Sequence, residues 1–247
     1  MDLTQSHNRL LDAEMKAKYK FLEVRNAAAM LNASAPESFS EILNVLDEFF
    51  VYDLDILTPG GNRGQIPTRL DKAFEDLGWR AVRINTVHKL VGKMKRTASS
   101  TTYDEQFLES TVYNDGFEVD NMKGRIALDV EWNAKDGNLD RDLAAYRSLY
   151  DLGLIDAAAI ITRDHQGIRD LCSEDLKSED AYRRLGTSTT TNLEKVKPRL
   201  TRGDAGGCPV WVVGITRSTW AGKGVPVPGS KLPDVIVTDG VELALDV

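Results

Sequence analysis

Apolar and polar residues alternate strictly between Arg125 and Asn133, a pattern that predicts a β-strand. The polar face carries Asp129, Glu131 and Asn133 at two-residue spacing, and Asp120 lies just upstream. The apolar face consists of Ile126, Leu128, Val130 and Trp132. A strand that packs a core on one side and gathers oxygen ligands on the other can present a divalent cation such as Mg²⁺. A half-exposed strand with a charged outer face would show the same alternation.

Two helical patterns precede this strand and predict a helical N-terminal part over residues 1–50. Apolar residues at helical spacing predict a first helix over residues 9–32, which ends before Pro36. Ser38 and Glu41 have the spacing of a capping box and predict the start of a second helix. The apolar face of that helix comprises Phe39, Ile42, Leu43, Leu46, Phe49 and Phe50. These two helices would either cover a sheet or form a dimer contact.

The rest of the chain predicts an α/β arrangement. A helix is expected from Pro67 to Gly78, and strands are expected over residues 79–90 and 111–120. Another helix follows the alternating strand, and two almost wholly apolar runs at residues 155–162 and 209–216 predict strands buried on both faces. Because strand, helix and strand in succession are typical of a parallel crossover, we expect residues 1–247 to form one α/β domain with a mixed sheet.

Composition narrows the classes of protein. No apolar run approaches the roughly 18 residues that cross a bilayer, so we expect no membrane partner. The N-terminus is polar, unlike a signal peptide, and Cys172 and Cys208 are too few for a disulfide framework. We therefore expect reduced thiols and a cytoplasmic location. Neither a nucleophile–base pair nor a cofactor-binding loop is evident, so no organic cofactor is expected.

Charge is distributed unevenly along the chain, although the net charge is only −7. Basic residues concentrate at residues 80–96 and 183–202, and acidic residues crowd the part between them, from residue 104 to 140. An acidic centre between two basic segments would suit a metal site flanked by contacts to nucleic-acid phosphates. Solvated helix faces would give the same distribution.

The residues around the alternating strand resemble a nuclease motif. Asp120 followed by Glu131-Trp132-Asn133 resembles the PD-(D/E)xK pattern of type II restriction endonucleases, with asparagine in place of lysine. The segments ALDVEWNAKDGNLDRDLAAYRSLYDLGLIDAAAIITR and TTTNLEKVKPRLTRGDAGGCPVWVVGIT are similar to the BglII/BstYI-like group, and together they are more specific than the short motif. The resemblance implies a restriction-endonuclease-like fold, with a central mixed sheet flanked by helices. It also implies a homodimeric, Mg²⁺-dependent endonuclease that cuts double-stranded DNA at a short palindrome.

The resemblance also assigns roles to residues. Asp120 and Glu131 would bind the metal ion, and Asn133 would complete the catalytic set by positioning a water, because an amide cannot take up a proton. Lys135, two residues further on, could restore the missing charge.

The first acidic ligand has two alternatives to Asp120. Asp115 is one, because a regular hairpin would place Gly116 opposite Glu131 and leave Asp120 too close to the turn. Asp129 is the other, because it shares a face of the strand with Glu131. Glu75, on the helix before Gly78, is a candidate outer acid or an ordinary surface residue.

The late segment, residues 186–218, is predicted to recognise DNA. Residues 188–192 offer hydroxyls and an amide, the basic side chains would neutralise phosphates, and Arg202 and Asp204 could reach guanine and cytosine edges. The candidate contact residues are Asn192, Lys195, Lys197, Arg199, Arg202 and Asp204. Two alternatives stay open: a DNA-binding protein with a decayed nuclease site, favoured by Asn133, and a nuclease that acts in repair or on modified DNA.

Overall fold

A six-stranded mixed β-sheet forms the centre of the protein. The computed structural model describes residues 1–58, 64–103, 105–187 and 189–228. The strands lie in the order β1-β6-β5-β4-β3-β2, and only the pairs β4–β5 and β5–β6 are parallel. Their bounds are β1 Tyr19–Val24, β2 Arg80–Met94, β3 Glu105–Lys123, β4 Ile126–Val130, β5 Ala157–Arg163 and β6 Val210–Ile215. The predicted α/β class with a mixed sheet is confirmed.

Helices cover both faces of the sheet and enclose two hydrophobic clusters. The first cluster packs α2, α3 and α5 against one face, and the second packs α6 and α9 against the other. The helices are α1 Ala13–Lys18, α2 Ala27–Ser34, α3 Pro36–Glu48, α4 Asp53–Leu57, α5 Gln65–Asp76, α6 Gly137–Asp151, α7 His165–Asp170, α8 Glu179–Leu185 and α9 Leu193–Arg202. None of the described helices is long and apolar enough to span a membrane.

The predicted helix over residues 9–32 is wrong, because this region contains an edge strand between two short helices. β1 pairs antiparallel with β6, and Phe21 stacks on Trp211 with ring centroids 5.6 Å apart. Arg25 and Asn26 then adopt positive φ and turn the chain into α2. The exposed backbone of β6 and the aromatic contact therefore override the local helical spacing.

The second predicted helix exists but begins earlier than expected. α3 starts at Pro36, which suits the first turn of a helix because its missing N–H has no partner there. Ser38 lies buried inside the helix, so the predicted capping box is wrong. Phe39, Ile42 and Leu46 are buried as predicted, and Leu43 is partly buried. The helix ends at Glu48, so Phe49 and Phe50 do not belong to its apolar face, and Phe50 is exposed.

β2 and β3 form a hairpin that is longer than predicted. Only Asn121–Lys123 of β3 pairs with β4, so most of the hairpin extends away from the rest of the sheet. We call residues 86–94 of β2 and 105–114 of β3 the arm. Gly116 lies at a register shift at its base, where a Cβ atom would come 1.8 Å from the carbonyl oxygen of Ile84. The close approach of the two backbones therefore requires glycine at this position.

Candidate active site

The central strand β4 is buried on both faces. Leu128, Val130 and Trp132 pack in the first cluster as the alternation predicted, whereas Ala127 lies in the second cluster beneath α6. The strand ends at Val130, four residues after Ile126, and is shorter than predicted. Because α6 covers the acidic face, the interpretation as a half-exposed strand with a solvated charged face is wrong.

Asp129 joins three elements through its carboxylate. Its Oδ1 accepts a hydrogen bond of 2.7 Å from the backbone N–H of Asp120 on β3, and its Oδ2 accepts one from the hydroxyl of Tyr146 on α6. Burial raises the pKa of Asp129 to about 7. Both oxygens therefore hold the surrounding structure together, which favours Asp120 over Asp129 as the first ligand.

The hairpin geometry removes the objection to Asp120. Lys123 pairs with Ile126, so the turn contains only Gly124 and Arg125, and Asp120 comes beside Asp129. Pairing between β3 and β4 stops at Asn121, after which β4 continues along β5. The expectation that a regular hairpin would place Gly116 opposite Glu131 is therefore wrong.

Glu131 is fixed by its backbone directly after β4. Its N–H donates to the carbonyl oxygen of Ile161 at 2.8 Å, and its carbonyl oxygen accepts from the hydroxyls of Thr162 at 2.7 Å and Thr191 at 2.8 Å. Its side chain is 5% exposed, and Oε2 has no hydrogen-bond partner. The main chain is thus held rigidly while a carboxylate oxygen stays available.

Asp142 on α6 forms a close acidic pair with Glu131. The Asp142 side chain is buried, and its Oδ2 also has no hydrogen-bond partner. Burial, and then the neighbouring negative charge of Asp142, hold the pKa of Glu131 well above its ordinary value. The pKa of Asp142 is raised by burial, although Arg141 and a hydrogen bond from Glu131 oppose the shift. The two carboxyl groups are therefore close enough to share one proton.

Sequence reasoning missed Asp142 and Tyr146. Both lie on the apolar stripe of α6 together with Leu139, Leu143 and Leu149, which all pack in the second cluster. An aspartate within such a stripe is the signal that was available, because an acidic residue is rarely buried without a specific partner. The partner of that aspartate, however, depends on the sheet that packs against α6.

The acidic pair fits a divalent cation. We call Asp120, Asp129, Glu131 and Asp142 the acidic cluster. Two buried carboxylate oxygens, Glu131 Oε2 and Asp142 Oδ2, lack hydrogen-bond donors, and oxygen ligands of this kind suit Mg²⁺. Across the described residues, no three side chains of His, Cys, Asp or Glu converge closely enough to hold a metal ion as they stand. The donor atoms are therefore of the kind that binds Mg²⁺, although the side chains are not spaced to hold an ion as they stand.

The remaining candidates for catalysis lie at the surface. Asn133 is exposed just beyond Trp132, and the exposed Lys135 forms an isolated backbone bridge with Thr190. Glu75 is exposed on α5, with a carboxylate oxygen 4.0 Å from the ammonium group of Lys72. The surface position of Asn133 permits contact with water, whereas no described contact connects Glu75 to the acidic cluster.

Several predicted DNA contacts instead connect α9 to α6. Asn192 is buried and caps α9 by accepting a hydrogen bond of 2.9 Å from the N–H of Lys195. The Lys195 ammonium lies 3.4 Å from Asp136, and the Arg199 guanidinium donates to both oxygens of Asp140 at 2.6 and 2.9 Å. Lys195 and Arg199 therefore join α9 to α6, whereas Asn192 holds the first turn of α9, and contact of the three side chains with DNA stays a prediction.

Two basic residues of the predicted recognition segment, Lys197 and Arg202, are exposed. Arg202 and Asp204 pair with each other, with Nε of Arg202 3.0 Å from Oδ1 of Asp204. Lys197 is exposed and makes no salt bridge within the described part of the chain. Ser188 lies outside the described residues. Among the basic side chains predicted to contact DNA, Lys197 is thus the one that no salt bridge holds within the described residues.

The mixed sheet flanked by helices belongs to the class of restriction-endonuclease-like folds, and the buried acidic pair lies at the end of its central strand. A comparison with protein families gives the particular family: the model of restriction endonuclease BglII/BglIII matches residues 19–215, about four-fifths of the chain. The chain belongs to this family, and its activity is the sequence-specific cleavage of double-stranded DNA. The resemblance in the sequence is thereby confirmed. No curated protein matches the chain.

Replacing Tyr146 with Phe is expected to destabilise the protein by roughly 1–3 kcal/mol, because the buried Oδ2 of Asp129 would lose its hydroxyl donor. Urea unfolding would measure this change in the free energy of unfolding. Tyr150→Phe on the same helix is the matched control, because its hydroxyl makes no hydrogen bond with the described residues. Equal losses in the two variants would contradict a special role for the Tyr146 hydroxyl.

Proposed function

We propose that the acidic cluster is the active site of this restriction endonuclease and that the metal ion is Mg²⁺. The observation that carries the proposal is the pairing of Glu131 with Asp142, two buried carboxyl groups that each keep one oxygen without a hydrogen-bond partner. A buried acidic pair is costly unless it binds a proton or a cation. The family is generally dependent on divalent metals, which supports the same assignment.

Each residue of the cluster has a proposed role. Asp120 and Glu131 would hold the metal ion, and Asp142 would orient the Glu131 carboxylate. When bound, the ion would offset negative charge on the phosphate and lower the pKa of a water molecule. Asp129 keeps β3 against β4 through the Asp120 N–H, so that Asp120 remains beside the cluster. Asn133 would orient the water by hydrogen bonding, without taking up its proton.

We further propose that the enzyme acts as a homodimer on a short palindrome. The described residues of one chain hold a single acidic cluster, whereas cutting both strands of a duplex takes two such sites. A dimer with two-fold symmetry would place one site on each strand and would read a sequence with the same symmetry. We also propose a cytoplasmic location, which the two unpaired cysteines support.

A protein with a decayed nuclease site is the second candidate, and Asn133 favours it. The lysine of the motif is missing, and the exposed side chain of Lys135 lies beyond the end of β4. Such a protein would bind its DNA site without cutting it. The intact pairing of Glu131 and Asp142 supports the active enzyme, because a decayed site has no need to retain buried acids.

The test is digestion of plasmid DNA by the purified full-length chain with MgCl₂, followed by sequencing of the fragment ends. Discrete fragments that share one palindrome are expected, and EDTA should abolish them. Replacement of Mg²⁺ by Ca²⁺ serves as a control for binding, read as a gel shift on the same DNA. A specific gel shift without cleavage in Mg²⁺ or Mn²⁺ would instead establish the decayed site.

A further inference from the structure

Three basic side chains lie close together at the edge of the sheet where β5 ends. Arg163 is the last residue of β5, His165 is the first residue of α7, and Arg169 lies one turn further along that helix. We call Arg163, His165 and Arg169 the basic cluster. Burial, and then the positive charge of Arg163, lower the pKa of His165, and the charge of Arg169 acts in the same direction. Basic groups at such short range repel one another unless an anion lies between them.

Arg163 is the buried centre of the basic cluster. Its side chain is fully buried, and its Nε and Nη1 atoms have no hydrogen-bond partner among the described residues. Its Nη2 donates to the hydroxyl of Thr190 at 2.5 Å, and its Cζ lies 5.8 Å from the ring centroid of Trp132. Burial of a charged group is costly unless the group is paired, so two unused donors on a buried guanidinium indicate a binding site for an anion.

The other two members of the basic cluster also keep buried nitrogen atoms without partners. Nδ1 of His165 and Nε of Arg169 make no hydrogen bond with the described residues. The Arg169 guanidinium is positioned by Tyr182, because its Cζ lies 4.5 Å from the centroid of that ring and its Nη2 donates to the tyrosine hydroxyl. All three side chains of the cluster thus have polar atoms available for a ligand.

The acidic residues near the basic cluster do not neutralise it. Asp164 accepts hydrogen bonds from the Lys20 ammonium at 2.8 Å and from the N–H of Gly167 at 3.2 Å. Burial lowers the pKa of Arg163 to about 10, and the exposed Glu194 opposes that shift only from a distance. Arg163 forms no salt bridge with any described carboxylate. The guanidinium therefore stays charged at neutral pH, and none of the described residues compensates its charge.

The basic cluster and the acidic cluster lie at the same edge of the sheet, on its two opposite faces. β4 and β5 are parallel, so Glu131 and Arg163 lie at the carboxyl ends of neighbouring strands. Arg163 lies beside Trp132, which packs in the first hydrophobic cluster, whereas Glu131 lies beside Asp142 on the other face. Ligands of α/β sheets bind beyond the carboxyl ends of parallel strands, so one duplex across this edge would reach both clusters.

We propose that the basic cluster binds a backbone phosphate of the DNA duplex, other than the phosphate that is cleaved. The inference rests on the proposed function, because the same duplex would contact the acidic cluster. A phosphate oxygen would take the place of the Thr190 hydroxyl, which is a neutral acceptor on a half-buried residue. Hydrogen bonds from arginine to phosphate are charge-assisted and stronger than hydrogen bonds to a hydroxyl. Because every nucleotide carries the same phosphate, the site would position the duplex without reading its sequence.

The test is binding of duplex DNA to the full-length chain in Ca²⁺, measured by fluorescence anisotropy over a series of salt concentrations. Arg163→Met should raise the dissociation constant at least about tenfold, equally for specific and unrelated sequences. The slope of log K against log salt should become shallower by about one, because one phosphate contact is lost. Arg163→Lys retains the charge, so it should retain the slope while losing part of the affinity.

Arg125→Met is the matched control, because it makes the same chemical change at the opposite edge of β4 and β5. Arg125 is exposed and directly precedes β4, and its Nε donates to Asp156 at 2.9 Å. Since this guanidinium is already paired and lies away from both clusters, its salt slope should equal that of wild type.

Thermal unfolding without DNA separates a binding role from a structural one. Arg163→Met should melt at or above the temperature of wild type, because a buried charge without a partner is removed and the apolar stem beside Trp132 is kept. A variant that melts more than about 4 °C lower but binds DNA as wild type does would show that Arg163 is structural. If Arg163→Met fails to fold, Arg169→Met at a half-buried position should make the salt slope shallower in the same way.

Two further results would overturn the inference. The first is an unchanged salt slope and affinity in Arg163→Met, and the second is a loss confined to the specific sequence with an unchanged slope, which would assign Arg163 to a base edge. If wild type binds DNA without cutting it and Arg163→Met has the shallower slope, the phosphate site stands and the proposed catalysis falls. If wild type cuts DNA and Arg163→Met binds as wild type does, the reverse holds. Wild type that binds no duplex DNA would overturn both.

Discussion

Replacing Glu131 with Gln is expected to lower the rate of DNA cleavage by about a hundredfold to a thousandfold or more, with binding of duplex DNA changed by less than about threefold. The amide keeps the size of the side chain and its contact with Asp142, but it removes the charge that would hold the metal ion. The backbone hydrogen bonds of residue 131 to Ile161, Thr162 and Thr191 do not involve the side chain, so the fold should persist. Single-turnover cleavage in Mg²⁺ and a gel shift in Ca²⁺ would measure the two effects separately.

Glu118→Gln provides the matched control, because it makes the same chemical change on β3 two residues before Asp120. Glu118 is exposed and pairs only with Arg83 among the described residues, a contact that contributes little to stability at the surface. Its cleavage rate should match wild type. A Glu131→Gln enzyme that cuts at more than a tenth of the wild-type rate would argue against Glu131 as a metal ligand.

The alternation of residues was sufficient to predict the faces of β4, because the period of a strand is a local property. Ile126, Leu128, Val130 and Trp132 lie in one cluster as expected. The sequence pattern did not show what covers the other face, since that depends on α6. The burial of Asp129 and Glu131, which is the main cause of their raised pKa values, therefore results from tertiary packing.

β1 shows the opposite case, in which a local pattern predicted the wrong element. The apolar residues between positions 9 and 32 recur at helical spacing and therefore predict a helix. β6, however, lies almost two hundred residues later and offers a free edge with which β1 pairs. A pairing over that distance leaves no periodic signal in the segment itself. Phe21 against Trp211 stabilises the strand only once both elements are in place.

The basic residues of the late segment show that charge along a sequence does not reveal pairing in space. Lys195 and Arg199 are separated from Asp136 and Asp140 by about sixty residues, yet they form salt bridges between α9 and α6. Their helical spacing fits phosphate contacts equally well. Only the packing of α9 against α6 shows that Asp136 and Asp140 compete with DNA phosphates for the side chains of Lys195 and Arg199.

In the absence of metal, the protein is expected to lose stability as the pH rises above 5, and Glu131→Gln should remove part of that loss. The folded-state pKa of Glu131 is raised well above its ordinary value near 4.5 by burial and by Asp142, so the folded state keeps a proton that the unfolded state releases. A raised pKa contributes stability that is fully present below the ordinary value and disappears as the pH rises through the folded value. Asp129, with a pKa of about 7, acts in the same direction.

Thermal unfolding in EDTA at pH 5 and pH 8 would measure the effect. Glutamine donates a hydrogen bond to Asp142 without a titrating proton, so the Glu131→Gln variant should melt about 3–8 °C above wild type at pH 8, which corresponds to roughly 1–3 kcal/mol. At pH 5 the two should melt together. Mg²⁺ at pH 8 should raise the melting temperature of wild type and not that of the variant, because the ion takes the place of the shared proton. Equal pH dependence in the two proteins, or equal shifts with Mg²⁺, would show that Glu131 and Asp142 share no proton and form no metal site.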